Sequence, residues 1–187
     1  MRWLRNSVFL AAMVWLLGMS GTSARQLPDK GELIPESLAT YLKENYAGLS
    51  ILPKDRAIDE LLRYFAKEIR GQASPFVCSG DFDGDGREDY ALVLWDKARS
   101  GLKVHAFHQT AEHSYKTFLI QDMPGVVQGD SRTEVYVVCE PRQTKKIRGR
   151  QVRLAHASIT LGFYEKAADL YFFVPQSNRY KKISLSD

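Results

Sequence analysis

Between Gly80 and Trp95 the chain reads GDFDGDGREDYALVLW. Asp81, Asp83, Asp85 and Asp89 fall at positions 1, 3, 5 and 9 of a loop, and Arg87 at position 7 offers a backbone carbonyl. These are hard oxygen donors. Calcium takes six to eight of them at about 2.3–2.6 Å in a flexible shell. Gly86 at position 6 permits the sharp turn that wraps a chain round an ion, and Gly84 frees the backbone just before it. Without a cation, these four aspartates within nine residues repel one another. With one between them, the repulsion becomes coordination. The expected ligands are therefore Asp81, Asp83, Asp85, Arg87 through its carbonyl, and Asp89, and the expected cofactor is Ca2+. The competing view of the same residues is a solvated acidic turn.

The loop is not that of an EF-hand. Position 12 is Leu92, where an EF-hand places a bidentate glutamate, and the exit segment Tyr90–Trp95 is strand-like. With its Gly-Asp start, the D-x-D-x-D-G-x-x-D spacing and the apolar strand behind it, segment 80–95 resembles the calcium loop of integrin-type FG-GAP and VCBS repeats. The resemblance implies a calcium-holding connection between two strands. In that family the loop recurs in each blade of a propeller. Here it occurs once, so a propeller is not implied. More loosely, the layout is similar to small exported bacterial proteins of unassigned function that carry one such loop. The segments concerned are Phe163-Tyr164-Glu165-Lys166, the aromatic run Leu170–Phe173 and a terminal Ser-Asp. That likeness implies no activity.

DFDGD is also similar to the D-x-D-G-T start of haloacid dehalogenases, whose first aspartate is a phosphoryl nucleophile. Those enzymes run a hydrophobic strand into that aspartate. Here Ser79-Gly80 precede Asp81, and Asp85 stands where a threonine or valine is needed. A phosphatase-like hydrolase using Asp81–Asp89 as a catalytic metal site remains the alternative function. His105, His108 and His113 are close in sequence, but on a strand positions 105 and 108 point to opposite faces. A zinc site needs convergent ligands, so ordinary histidines are expected. No G-x-S-x-G segment is present, and no catalytic residue is assigned.

Elements must hold this loop. Arg2 and Arg5 precede an apolar run from Val8 to Met19, then small residues ending Thr22-Ser23-Ala24. This order predicts a signal peptide over 1–24. The run falls short of the about 20 residues of a membrane span. Residues 25–187 are read as a single domain, large enough for its own core. Without the two leader arginines, 24 basic residues face 22 acidic ones, a net charge of +2. Near-neutral charge and export together argue against a nucleic-acid partner. They place the chain in the periplasm or the medium, with no membrane span once the leader is removed.

Cys78 and Cys139 end two strand-like runs, PFVC and VYVVC. In an oxidising compartment an even count reads as a disulfide; the alternative is two buried thiols. A bridge would close a 62-residue loop, which the chain-entropy model values at about 4 kcal/mol. The periodicity predicts a helix from Pro35 to Tyr46 and another over 54–70, with Ile58, Leu61, Leu62, Phe65 and Ile69 as its apolar stripe. Beyond Gly71, short runs rich in Val, Tyr, Phe and Ile predict strands near 75–79, 89–96, 102–109, 115–121, 133–139, 151–164, 169–174 and 179–185. The expected class is α+β: two N-terminal helices followed by a mainly antiparallel β-sheet. Segment 142–153 carries six cations, with Lys145, Lys146, Arg148 and Arg150 at a predicted hairpin tip. This is either a solvated loop or a patch for a protein or an anionic envelope polymer. The function expected from these residues is an exported, calcium-binding accessory or interaction protein in which the ion is structural.

Overall fold

The computed structural model describes residues 33–185 except 70, 128 and 130, so the expected signal peptide lies outside the described residues. Two ten-residue helices, α1 (Glu36–Asn45) and α2 (Asp59–Glu68), precede most of the strands. The strands are β1 (Leu49–Ile51), β2 (Val77–Gly80), β3 (Asp89–Asp96), β4 (Gly101–Ala111), β5 (Ser114–Met123) and β6 (Val135–Glu140). They continue as β7 (Gln143–Ile147), β8 (Arg150–Leu154), β9 (Ser158–Phe163), β10 (Ala167–Val174) and β11 (Arg179–Ser184). This corrects the expected α+β class. The described chain is a mainly antiparallel β protein with two short helices, and β1 already stands between them.

The second helix is shorter than its apolar stripe predicts, for a physical reason. Residues 54–56 form a 3-10 turn, and Ala57 is bridged to Thr133. The Ile58 N–H donates to the Thr133 carbonyl, so these backbone groups serve strand-like pairing rather than a helix. The predicted strand over 151–164 likewise breaks in two at Ala155–Ala157. The lysine-rich β7 was not predicted as a strand, because alternation on a hairpin outside both main sheets leaves one face fully wet.

β3 lies inside a five-stranded sheet. On one side it pairs with β4, which pairs with β5; its other edge is shared by β1 and β2. A four-stranded sheet runs β11-β10-β9-β6, and β7-β8 form a separate hairpin. The two sheets face each other across one core. Ala91, Val93, Val104 and Ala106 come from the first, Val135, Val137, Ile159 and Leu161 from the second, and Leu61 and Phe65 of α2 join them. Behind the first sheet, Leu38 of α1 packs on Leu92, Leu94 and Phe107. β3 is therefore covered on both faces, which accounts for its unbroken apolar run YALVL. The β7–β8 hairpin seats Ile147 and Leu154 on Leu170, over the outer face of the second sheet. Cys78 of β2 and Cys139 of β6 are joined by a disulfide with 5.5 Å between Cα atoms, tying the sheets together three residues before Asp81 opens the aspartate loop.

A candidate metal centre at the mouth of the sandwich

The aspartates lie in the turn between β2 and β3, closed by the Gly80–Asp89 pair of the ladder. Each carboxylate folds back onto the turn. Asp81 accepts from the N–H of Gly84 (2.6 Å) and of Gly86 (3.0 Å). Asp83 accepts from Asp85 N–H (3.1 Å), and Asp85 from Arg87 N–H (2.8 Å). Gly84 and Gly86 both have positive φ, +87° and +83°, the left-handed region glycine adopts without strain. At Gly84 space matters as well: a Cβ there would lie 2.1 Å from a carbon of the His156 ring.

One oxygen from each of Asp81, Asp83 and Asp85 lies within 4.8 Å of the other two, close enough to share one cation. Asp89 does not join that trio. Its carboxylate groups with Asp83 and His108 under the same 4.8 Å limit, so Asp83 is common to both sets. Arg87 is placed by other contacts: its guanidinium donates to the Thr110 carbonyl and lies 3.8 Å from Asp85.

Asp89 is fully buried. One oxygen accepts from Phe82 N–H (2.8 Å), the other from Gln109 N–H (2.9 Å). No cationic side chain among the described residues pairs with it. Burial pushes its pKa up to about 7; the two backbone N–H groups oppose that rise, and Asp83 and Asp85 add to it. A buried carboxylate beside further carboxylates is a costly arrangement unless a positive charge answers it.

His108, 1% exposed, was expected to be ordinary. The structure places it against the loop. A carboxylate can only accept, so His108 Nδ1–H donates to Asp83 (3.2 Å), leaving Nε2 to accept from the Tyr180 hydroxyl (2.7 Å). Phe82, Phe118, Phe173 and Tyr180 surround the ring. Burial lowers its pKa, against the pull of Asp83. The Tyr180 pKa is raised, first by burial and then by Asp89 and Asp83. His105 faces the other way, onto Tyr46 behind α1. In the β3–β4 register Tyr90 pairs with Phe107, so the next position along sets Asp89 opposite His108, a juxtaposition that only the strand pairing reveals.

The predicted basic patch is only partly open. Lys145 is held by Glu140 (2.6 Å), whereas Lys146, Arg148 and Arg150 are exposed at the hairpin end. No helix among the described residues is long and apolar enough to cross a membrane. Comparison with known proteins returned nothing: no family model, no characterised protein and no solved structure is significantly similar to the chain.

Proposed function

We propose that this chain is an exported accessory protein that binds a divalent cation, calcium by the chemistry of the donors, at the β2–β3 turn. Asp81, Asp83 and Asp85, whose oxygens converge, supply the central oxygens; the Arg87 carbonyl and Asp89, which meets only Asp83 of that trio, complete the set as the FG-GAP-like spacing implies. The observation that carries this reading is Asp89: a fully buried carboxylate, with two N–H bonds and no cationic partner among the described residues, set beside Asp83. A cation in the loop supplies the missing positive charge. The role is structural. The turn joins β2, which the disulfide ties to the second sheet, to the doubly buried β3, so an ion there fixes the seam of the sandwich. The disulfide is consistent with a non-cytoplasmic home. The hydrolase alternative finds less support at His108, which has both ring nitrogens engaged and is sealed from solvent.

The test is calcium titration of EDTA-stripped protein by calorimetry, with thermal unfolding beside it. Calcium at a hundredfold excess over its dissociation constant should add about 2.7 kcal/mol of stability. Asp83→Ala should abolish both the binding heat and the stabilisation. A wild type indifferent to calcium would sink the reading.

A further inference from the structure

From Pro141 to Tyr164 the chain contains no acidic residue, yet it carries Arg142, Lys145, Lys146, Arg148, Arg150 and Arg153. The fold lays this stretch against the aspartate loop. Ala157 N–H donates to the Asp81 carbonyl (2.9 Å), and the His156 ring is pressed on Gly84. Between the two segments lies an open groove of about 540 Å³, with Asp81 and Gly84 on one wall, and Arg142 and His156 on the other. The ridge Ala155–Ala157 separates it from a smaller groove of about 220 Å³ that Arg153 lines. Arg142, Arg153 and His156 have no hydrogen-bond or ion-pair partner among the described residues, whereas Lys145 is neutralised by Glu140. Arg142 thus shares a groove with Asp81 of the candidate metal centre, and Arg153 lines the neighbouring groove, neither guanidinium being answered by a carboxylate among the described residues.

We propose that these grooves bind a carboxylate-bearing polysaccharide of the polyuronate type, and that they do so only when the loop holds its ion; the inference rests on the cation reading of the loop. The charge arrangement sets that condition. Without the ion, the Asp81 carboxylate on the groove wall repels an anion, as does Glu140 on the same groove. With it, the same wall presents a cation that takes hard oxygens. One uronate carboxylate then completes the ion's shell beside Asp81. Carboxylates further along the chain meet the forks of Arg142 and Arg153, whose planar donors match a carboxylate two-to-two. Two grooves with an arginine on each fit a repeating anion better than a single small one. Apart from the His156 imidazole, the main groove has no aromatic or branched aliphatic lining residue to seat a peptide anchor, which favours a glycan over an acidic peptide.

The test uses purified protein and a galacturonate hexamer, too short to gel, at about 0.15 M salt, where diffuse surface attraction is screened. Calcium binding is measured first, without sugar. The expected result is hexamer binding in calcium that weakens by at least about tenfold in EDTA, because like charges then face each other. Arg142→Gln should weaken hexamer binding by about tenfold, the worth of one charge-assisted pair, and leave calcium affinity unchanged. Monomeric galacturonate should bind more weakly than the hexamer, which separates polymer from free sugar acid. Equal hexamer binding with and without calcium overturns the proposal, and so does a sulfated glycan or a polyglutamate peptide that matches the hexamer. Calcium binding with no hexamer binding overturns this proposal alone. Absence of calcium binding overturns it together with the reading beneath it.

Discussion

Replacing Asp89 with asparagine should change how the ion-free protein responds to pH. Burial holds the Asp89 pKa at about 7, against 3.8 for a free carboxyl. A carboxyl raised in this way binds its proton more tightly when folded. Its stabilising share is full below the unfolded value and is lost as pH rises through the folded one. Between pH 5 and 7 the unfolded chain has already given up the proton while the folded chain still holds it. Stability therefore falls by about 1.4 kcal/mol per pH unit, about 3 kcal/mol over the interval, and levels off above 7. His105 and His108 act with the opposite sign. Burial lowers both pKa values, to about 4 for His105, so the stability tied to their neutral forms is present above 6.5 and lost as pH falls. The difference between wild type and variant removes the His105 contribution. Asparagine also fails to accept from one of the two N–H groups that Asp89 serves, which costs about 1–3 kcal/mol at every pH. The assay is urea unfolding in EDTA at pH 5, 6, 7 and 8. The stability of wild type minus that of Asp89→Asn should drop by about 3 kcal/mol from pH 5 to 7 and then hold. Excess calcium at pH 8 should restore the wild type alone. A difference that stays constant across the series would refute the claim that Asp89 is an unanswered buried charge.

Tyr180→Phe keeps the ring and removes the hydroxyl that His108 Nε2 accepts from. It should cost about 1–3 kcal/mol of stability in chemical denaturation. Because His108 orients Asp83, calcium affinity should also fall by about tenfold in calorimetry, the usual effect of losing a supporting contact behind a ligand. Gly84→Ala forces a Cβ to within 2.1 Å of His156 at a positive φ. Its melting temperature should drop steeply, and adding His156→Ala should recover the steric part while leaving a backbone penalty of about 1 kcal/mol. Replacing Cys78 and Cys139 together by alanine should lower stability by about 2–5 kcal/mol, read from unfolding midpoints without reductant.

What was legible in the sequence was what is local. The aspartate spacing, the two loop glycines and the apolar exit of β3 fit within sixteen residues, and the loop does join two strands. The cysteine pairing followed from two strand-like runs that each end in a cysteine, in an even count. Missed features depend on contacts far along the chain. His108 reaches Asp83 only through the β3–β4 register and the Tyr180 hydroxyl on β11. The start of α2 is set by Thr133, more than seventy residues away, which bonds the Arg56 carbonyl and the Ile58 N–H on either side of Ala57. Asp89 looked like one more ligand of an exposed loop. Its burial comes from being the first residue of a strand covered on both faces, which spacing alone does not reveal. The class was misjudged because strong helical stripes stood out, while lysine-rich β7 and three-residue β1 carry almost no pattern.

The strand order also has a kinetic consequence. β3–β4–β5, β7–β8 and β9–β10–β11 pair with sequence neighbours, so these hairpins can form early from local encounters. β6 is different: it reaches β9 past the whole β7–β8 hairpin, and its cysteine reaches β2 across 61 positions. Docking β6 against β2 therefore demands a long chain closure, and the meeting of the two sheets is the expected bottleneck on the way to the native state. Oxidising Cys78 to Cys139 shortens that search by holding β6 beside β2 in advance. A chain that acquires its disulfide before its sheets have docked should consequently reach the native state faster than the reduced one.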